Sequence, residues 1–328
     1  MLNIVYYGGG WPTNIGNAFI DLGAIATLKM AAPNSRIFFA SEMPRWFLGH
    51  PAPKQPFVKS VNLGSWQVTL SSKAMLSYSP ELMDQALDVA SVTKCDLIVF
   101  SGMAMCEEFI RVNGPSILRL ARQQCPVLLL GTGASIYSSE ERTVYGEFLR
   151  QINHVSFISR DDRSYDMFAE YVSFAYKGID CAFFLPDAYS PPALILPPYV
   201  VMTFDSMREP DLELRDRLLV RAHHTCWGPV KREFIHTGMT LVSDIPHDYL
   251  AIYANADEVH SDRVHACIAA LAYGKRAQLY HPTARGSLFD VVGAYDVRET
   301  LTQLDMNILA ELKQVQVEQV KKVIAMQV

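Results

Sequence analysis

The sequence predicts an α/β protein with two Rossmann-like parallel-sheet domains facing a cleft, a GT-B-like architecture. Three observations carry this. Short β-branched runs alternate with helical patterns along most of the 328 residues, the signature of parallel βαβ units. The stretch PDAYSPPALILPPY (186–199) holds five prolines in fourteen residues, a density that excludes helix interior and central strand and marks a linker. Each strand also ends in a small or polar turn, where open α/β sheets place their ligands. The length suits two domains, which we set at 1–190 and 191–328.

LNIVYY (2–7) reads as the first strand, followed by a Gly-rich turn and a helix from about Asn17 to Ala32. RIFFA (36–40) reads as a strand, and Pro51 to Tyr78 as an irregular stretch with short strand candidates. A helix over 80–93 leads to the strand DLIVFSG (96–102), and a helix over 115–124 leads to PVLLLGTG (126–133). A helix near 138–152, the strand HVSFIS (154–159) and a helix from Asp161 complete the first half. The second half reads as the strand YVVMTF, a helix near 210–221, a short strand at MTLVS and a helix near 246–255. The strand DEVHS, a helix over 262–273 and the strand RAQLY (276–280) follow. From Met306 the chain is one long helix whose Ile308, Leu312, Val315, Val320, Val323 and Ile324 form an apolar stripe. That stripe is expected to pack back on the N-terminal domain rather than on a membrane or partner.

Half the residues are apolar and the net charge is -5, so nothing draws the chain to nucleic acid or anionic lipid. An anion site must therefore be a local cluster of Arg, Lys or His. The six cysteines show neither CxxC nor Cys–His zinc spacing, which points to reduced structural thiols in the cytoplasm. Met1 leads straight into a strand-like run, and no apolar run approaches the roughly 20 residues of a bilayer span. The expectation is a soluble chain with no signal peptide and no transmembrane segment.

HSDRVHACIAALAYGK (260–275) carries the strongest chemical signal. The helix is apolar on nearly every side, so it is buried all round, and its polar residues collect at the N-terminal end. Asp262 or Ser261 is expected to cap it, and the dipole and free N–H groups attract an anion. Arg263 and His265 lie roughly 200° apart around the axis and meet one ligand only over the helix end. The alternative is an Arg–Asp capping pair beside a satisfied core histidine. GGGWPTNIGN (8–17) lacks a full GxGxxG and is a loop for close backbone approach, with Asn14, Gly16 and Asn17 as candidate contacts. Asn17 has a capping role as its alternative, and Trp11 either stacks on a sugar or packs in the turn. GTGAS (131–135) offers backbone N–H groups at Gly131, Thr132 and Gly133. HHTCWG (223–228) lacks an i, i+4 His pair and a nearby carboxylate, so no metal is expected there.

DRVHACIAALAYGK resembles the arginine–histidine signature of polysaccharide pyruvyl transferases, with Val264 in place of the usual Leu. TNIGNAFIDLGAIATL (13–28), DLIVFSG, PVLLLGTG and SRDDRSYDMF (159–168) resemble further family segments in order, over roughly residues 3–290. The resemblance implies phosphoenolpyruvate as donor and a pyruvate ketal on two sugar hydroxyls as product, in cell-surface polysaccharide biosynthesis. It implies no cofactor. Arg160, Arg263, Val264 and His265 map onto the donor site, with Arg160 and Arg263 gripping the donor from the two domains and His265 as general acid or base. The first domain would face a sugar or lipid-linked saccharide acceptor. The alternative for Arg160 is an ion pair with Asp161 or Asp162 on the surface. Where the family commonly has a lysine this chain has Thr283, and Arg285 is the candidate replacement. A nucleotide-sugar GT-B glycosyltransferase and a non-catalytic assembly subunit are the competing readings. The implied setting is the cytoplasm or the inner face of the membrane, as a monomer or homo-oligomer.

Overall fold

A computed structural model of the chain describes residues 1–9, 11, 14–41, 58–63, 66–71, 92–105, 107–122, 125–224 and 239–327. The chain divides into two units. Met43–Asp88 contains an antiparallel hairpin of β3 (Val58–Leu63) and β4 (Trp66–Ser71). The other unit, Met1–Glu42 with Val89–Val328, holds two parallel sheets.

The first sheet contains β1 (Asn3–Gly8), β2 (Arg36–Ser41), β5 (Leu97–Met105), β6 (Val127–Ala134), β7 (Val155–Ser159) and β8 (Phe174–Lys177). Their order is β2-β1-β5-β6-β7-β8, all parallel. Helices cover both faces, so the inner strands are buried throughout and read as continuous apolar runs, as in VLLLGTGA. The helices are α1 (Gly16–Ala31), α2 (Glu107–Arg122), α3 (Ser139–Leu149) and α4 (Asp162–Phe168). Ser138 caps α3 by accepting from the amide of Glu141, and Asp161 caps α4 by accepting from that of Ser164. The helix expected over 80–93 lies almost entirely outside the described residues.

The second sheet contains β9 (Tyr199–Thr203), β10 (Leu218–Ala222), β11 (Met239–Leu241), β12 (Glu258–Ser261) and β13 (Arg276–Leu279). They run parallel in the order β11-β10-β9-β12-β13. Helices α5 (Pro246–Asn255) and α6 (Val264–Ala272) pack on it. The proline-rich stretch runs without regular structure from 189 to 198, between a one-turn helix at Leu185–Ala188 and β9. No helix forms over 210–221. Instead Arg215 turns the chain with a φ of 54°, and β10 follows with buried Val220 and Ala222.

The strand order reverses between β1 and β5 in the first sheet and between β9 and β12 in the second. Crevices outside such switch points are where open α/β sheets bind ligands. One continuous apolar core joins the sheets: Ile4, Phe19 and Phe183 belong to the same cluster as Val201, Ile268 and Val320. The last helix, α7 (Met306–Gln327), packs on α1, and its Gln316 side chain accepts from the Ile179 amide at 2.7 Å. Its inner face is Leu309, Gln316, Val317, Val320 and Val323, whereas Ile308 and Val315 of the expected stripe point to solvent.

Candidate functional site

All nine residues of α6 are buried, and its amino terminus opens on a pocket of about 60 Å³ at the β9–β12 switch point. Arg263, His265, Arg285, His224, Thr283 and Asn14 line it. Arg263 is the N-cap, with extended backbone and no capping side chain, which leaves the first helix amides and the positive dipole end available to a ligand. The expected cap by Asp262 or Ser261 is not made, because both side chains bind elsewhere. The Ser261 hydroxyl accepts from the Arg263 amide and donates to the Thr203 carbonyl. The Asp262 carboxylate accepts from the amides of Asp205, Ser206 and Met207 at 3.1, 2.7 and 2.7 Å and from the Ser206 hydroxyl at 2.9 Å. Asp262 thus ties the loop after β9 to the start of α6.

Asp205 in that loop organises the pocket. Its carboxylate meets Arg263 Nε at 3.3 Å and His223 Nδ1 at 3.3 Å. The pairing uses Nε of the guanidinium, whose terminal nitrogens carry its forked donors. Arg285 lies in a 3-10 turn after β13, where Thr283 caps by accepting from the Arg285 amide. Burial first, then the charges of Arg160 and Arg263, pull the Arg285 pKa down, with Tyr137 and Asp180 opposing. A guanidinium whose hold on its proton is weakened by neighbouring cations stands where an anion is favoured. The hydroxyl of Thr283 thus serves the turn that presents Arg285.

Arg160 does not line this pocket. It is fully buried, with Nη2 donating to the Ala134 carbonyl at 3.0 Å, and it faces Asp180 at 3.8 Å and Asp161 at 3.9 Å. Asp180 in turn stands 3.6 Å from His265 Nε2, beyond hydrogen-bond length. The expected direct grip on a donor is replaced by a buried chain from Arg160 through Asp180 to His265. Nε and Nη1 of Arg160, Oδ2 of Asp180 and Nε2 of His265 all lack a hydrogen-bond partner among the described residues. Four orphaned polar atoms in one buried cluster are costly without a function. Burial, joined by Arg160 and Arg285 and opposed by Asp180, lowers the His265 pKa and holds the imidazole neutral. Burial opposes ionisation of Asp180, but His265 and then Arg160 keep its carboxyl below the usual carboxylate range.

Two close approaches fix this arrangement. A Cβ on Gly16, at the start of α1, would stand 3.1 Å from the His265 Cβ, so the two helix ends nearly touch. A Cβ on Gly133 would stand 2.5 Å from Arg160 Nε. Gly131, Thr132 and Gly133, expected to face a ligand, are instead buried, with Cys181 behind Gly131 and Arg160 behind Gly133. Of the Asn pair, Asn14 lines the pocket and accepts from the Gly16 amide, while Asn17 lies in the first turn of α1. α1 starts at the N-cap Ile15, whose amide donates to the His224 carbonyl.

Sequence reasoning missed Asp180, Asp205 and His224 as site residues. Asp180 is legible only as the cap of the turn Cys181–Phe184. His223 and His224 are engaged by Asp205 and by Tyr253 respectively. Cys226, from the same segment, lies outside the described residues. Among the described residues no group of three or more His, Cys, Asp and Glu is arranged to hold a metal ion.

A model of the polysaccharide pyruvyl transferase family matches residues 14–277, from Asn14 at the pocket to β13. The chain belongs to the polysaccharide pyruvyl transferase family. This family member matches no protein in a comparison with curated sequences. Its fold is also that of solved sugar-nucleotide enzymes. The Staphylococcus aureus MnaA–UDP co-structure superposes with a TM-score of 0.55 at 11% identity, over 98% of this chain and 95% of that one. UDP-N-acetylglucosamine 2-epimerase from Rickettsia bellii gives 0.54 at 10%, over 99% and 96%. A Listeria monocytogenes protein described as a UDP-N-acetylglucosamine 2-epimerase gives 0.53 at 14%, over 98% and 89%. The likeness lies in the fold. Within the described residues of this pyruvyl transferase family member, no helix is long and apolar enough to cross a membrane.

Proposed function

We propose that the protein transfers the pyruvyl unit of phosphoenolpyruvate to two hydroxyls of a sugar, forming a ketal in a cell-surface polysaccharide or its lipid-linked precursor. The observation that carries this reading is the meeting of Arg263 and Arg285 with the uncapped start of α6, beside a buried histidine. Phosphoenolpyruvate carries a carboxylate and a phosphate. Forked guanidinium groups bind both by charge-assisted hydrogen bonds, and a helix amino terminus adds backbone donors.

His265 rests neutral, and an anionic donor beside it favours its protonated form. The imidazolium then gives its proton to C3, the enol methylene, and cationic character develops at C2. One sugar hydroxyl bonds to C2, the C2–O bond to phosphate breaks, and the second hydroxyl closes the ketal. The two hydroxyl protons balance the one gained at C3 and the one carried off by phosphate. In this reading Asp180, 3.6 Å from His265 Nε2, steadies the imidazolium, and Arg160, 3.8 Å from Asp180, favours its ionised form.

The test is a melting-temperature panel of phosphoenolpyruvate and UDP-sugars, since a ligand that binds only the folded state raises the midpoint. Phosphoenolpyruvate is expected to stabilise the wild type, and Arg263→Ala and Arg285→Ala to lose most of that shift. Turnover in D₂O is expected to leave one deuteron in the ketal methyl. Stabilisation by a UDP-sugar and not by phosphoenolpyruvate would overturn the reading.

A further inference from the structure

Beside the anion pocket, a second and larger cavity of about 470 Å³ lies between the β1–α1 loop and the segment after β11. This is within the roughly 300–1,000 Å³ of small-molecule sites. Trp11 and Phe39, at a centroid separation of 5.9 Å, line it together with Ser243 and Asp244. His224 belongs to both cavities.

The indole of Trp11 is anchored from behind. The buried Asp21 of α1 accepts from Trp11 Nε1 at 2.6 Å, from the Gly9 amide at 2.9 Å and from the Tyr6 hydroxyl at 2.6 Å. With its N–H already satisfied, the ring offers a fixed apolar surface. Aromatic carbon and polar side chains lining one cavity match a pyranose ring, which has apolar C–H faces and a rim of hydroxyls.

His224 is held as firmly. Phe19, Tyr249 and Tyr253 pack edge-on or tilted around it at 5.4, 5.4 and 5.7 Å. Its Nε2 is 2.6 Å from the Tyr253 hydroxyl, which reaches Thr203 Oγ1 at 2.9 Å. With the proton on Nε2 donated to Tyr253 and the Tyr253 hydroxyl donated to Thr203, Nδ1 carries a lone pair. That nitrogen is buried and has no hydrogen-bond partner among the described residues.

We propose that the acceptor sugar ring enters the Trp11–Phe39 cavity and that His224, the wall between the two cavities, takes the proton of the hydroxyl that attacks the donor. The inference rests on the pyruvyl-transfer reading and names its acceptor subsite and base. The hydroxyl O–H proton moves to Nδ1 as the oxygen bonds to C2, and His224 then yields it to the departing phosphate. Burial first, then Arg263, His265 and His223, pull the His224 pKa down, so the resting imidazole is neutral, and the Asp205 carboxylate receives the His224 amide. Arg263 reaches the donor pocket beside it, so one loop serves both substrates.

Saturation-transfer NMR with methyl glycosides of glucose, galactose and mannose tests the subsite without donor chemistry. Saturation is expected on ring C–H protons and to fall at least threefold in Trp11→Ala and in Phe39→Ala, while the melting shift by phosphoenolpyruvate persists. Absence of signal from every glycoside, or a signal that survives both substitutions, overturns the subsite. UDP binding that depends on Trp11 while no glycoside binds does the same. Failure of phosphoenolpyruvate to stabilise the wild type would instead strike the pyruvyl-transfer reading and the base that rests on it, while a glycoside signal lost in both variants keeps the subsite.

For the base, phosphate release from phosphoenolpyruvate is measured with the glycoside that saturates best. His224→Asn is expected to lose about 100-fold or more in kcat with KM for phosphoenolpyruvate within about threefold. Tyr253→Phe, which keeps the ring packing, is expected to lose roughly tenfold and to shift the acid limb of the pH profile. A loss below about tenfold in His224→Asn, or an unmoved acid limb in a folded Tyr253→Phe, overturns the assignment.

Discussion

Gly133 is where one missing atom decides the geometry behind the pocket. A methyl there would stand 2.5 Å from Arg160 Nε, 2.7 Å from Ser164 Oγ and 2.9 Å from Arg160 Cγ. Arg160 is fully buried, so its side chain cannot swing out into solvent to make room. Gly133→Ala is therefore expected to destabilise the fold by roughly 1–3 kcal/mol, the usual cost of overpacking, and to impair turnover through Asp180 and His265. Urea midpoints and kcat measured on the same preparation check both. The histidines give a second prediction at this scale. His224 and His265 have folded pKa values below the ordinary one, both chiefly through burial. Unfolding returns them to about 6.5, so the unfolded state binds more protons as pH falls below about 7. Stability is expected to fall between pH 7.5 and 5, and His265→Asn to flatten that slope in urea titrations. Asp180, whose folded pKa is lowered, contributes its own loss only below about pH 4.

Asp262 shows how a segment can be read correctly while a residue in it is not. Its place before an apolar helix gave it the pattern of an N-cap, and α6 does begin there. The carboxylate faces the loop after β9 instead, where three amides and a hydroxyl converge on it from residues more than fifty positions away in sequence. Local spacing holds no trace of that partner. Asp262→Asn puts an amide NH₂ among donors and is expected to cost roughly 2 kcal/mol or more, since hydrogen bonds to a charged group are the strong ones. It should also weaken phosphoenolpyruvate binding by freeing the loop that carries Asp205. Denaturant titration and the melting shift by phosphoenolpyruvate measure the two effects. The inner strands were legible because parallel strands covered on both faces are continuous apolar runs. DLELRDRLLV misled because β10 is only half-buried, and its Leu spacing suits a helix as well as a strand with alternating burial. In α7, apolar periodicity selected Ile308 and Val315, but the buried Gln316 turns the inner face toward the Ile179 amide.

At the scale of the whole molecule, the sequence supplied the two-sheet plan, the arginine–histidine helix start and Arg285, because each is local. Asp180, His224 and Asp21 escaped because their meaning comes from partners brought together only by the fold. The same long-range packing bears on how the chain unfolds. A proline-rich boundary near residue 190 divides the sequence into halves, yet the apolar core does not stop there. Phe19 of α1, Phe183 and Phe184 before the linker, and Ile268 of α6 lie in one cluster with Val317, Val320 and Val323 of α7. The Gly16–His265 approach and the bond from the Ile15 amide to the His224 carbonyl cross the same divide. Removing the second half would uncover α1 and the turn Cys181–Phe184, and melting the first half would strip cover from α6. The halves are thus expected to unfold together. Urea unfolding followed by far-UV circular dichroism and by tryptophan fluorescence should give coincident single transitions, the mark of two-state behaviour. Two separated transitions would mean that the shared core contributes too little to couple the sheets. In that case a substitution in α7 such as Val320→Ala, which removes buried apolar volume from the seam, would shift only one of the two midpoints. In a single cooperative unit, the same substitution lowers the common midpoint by the roughly 1–3 kcal/mol expected for truncating a buried side chain.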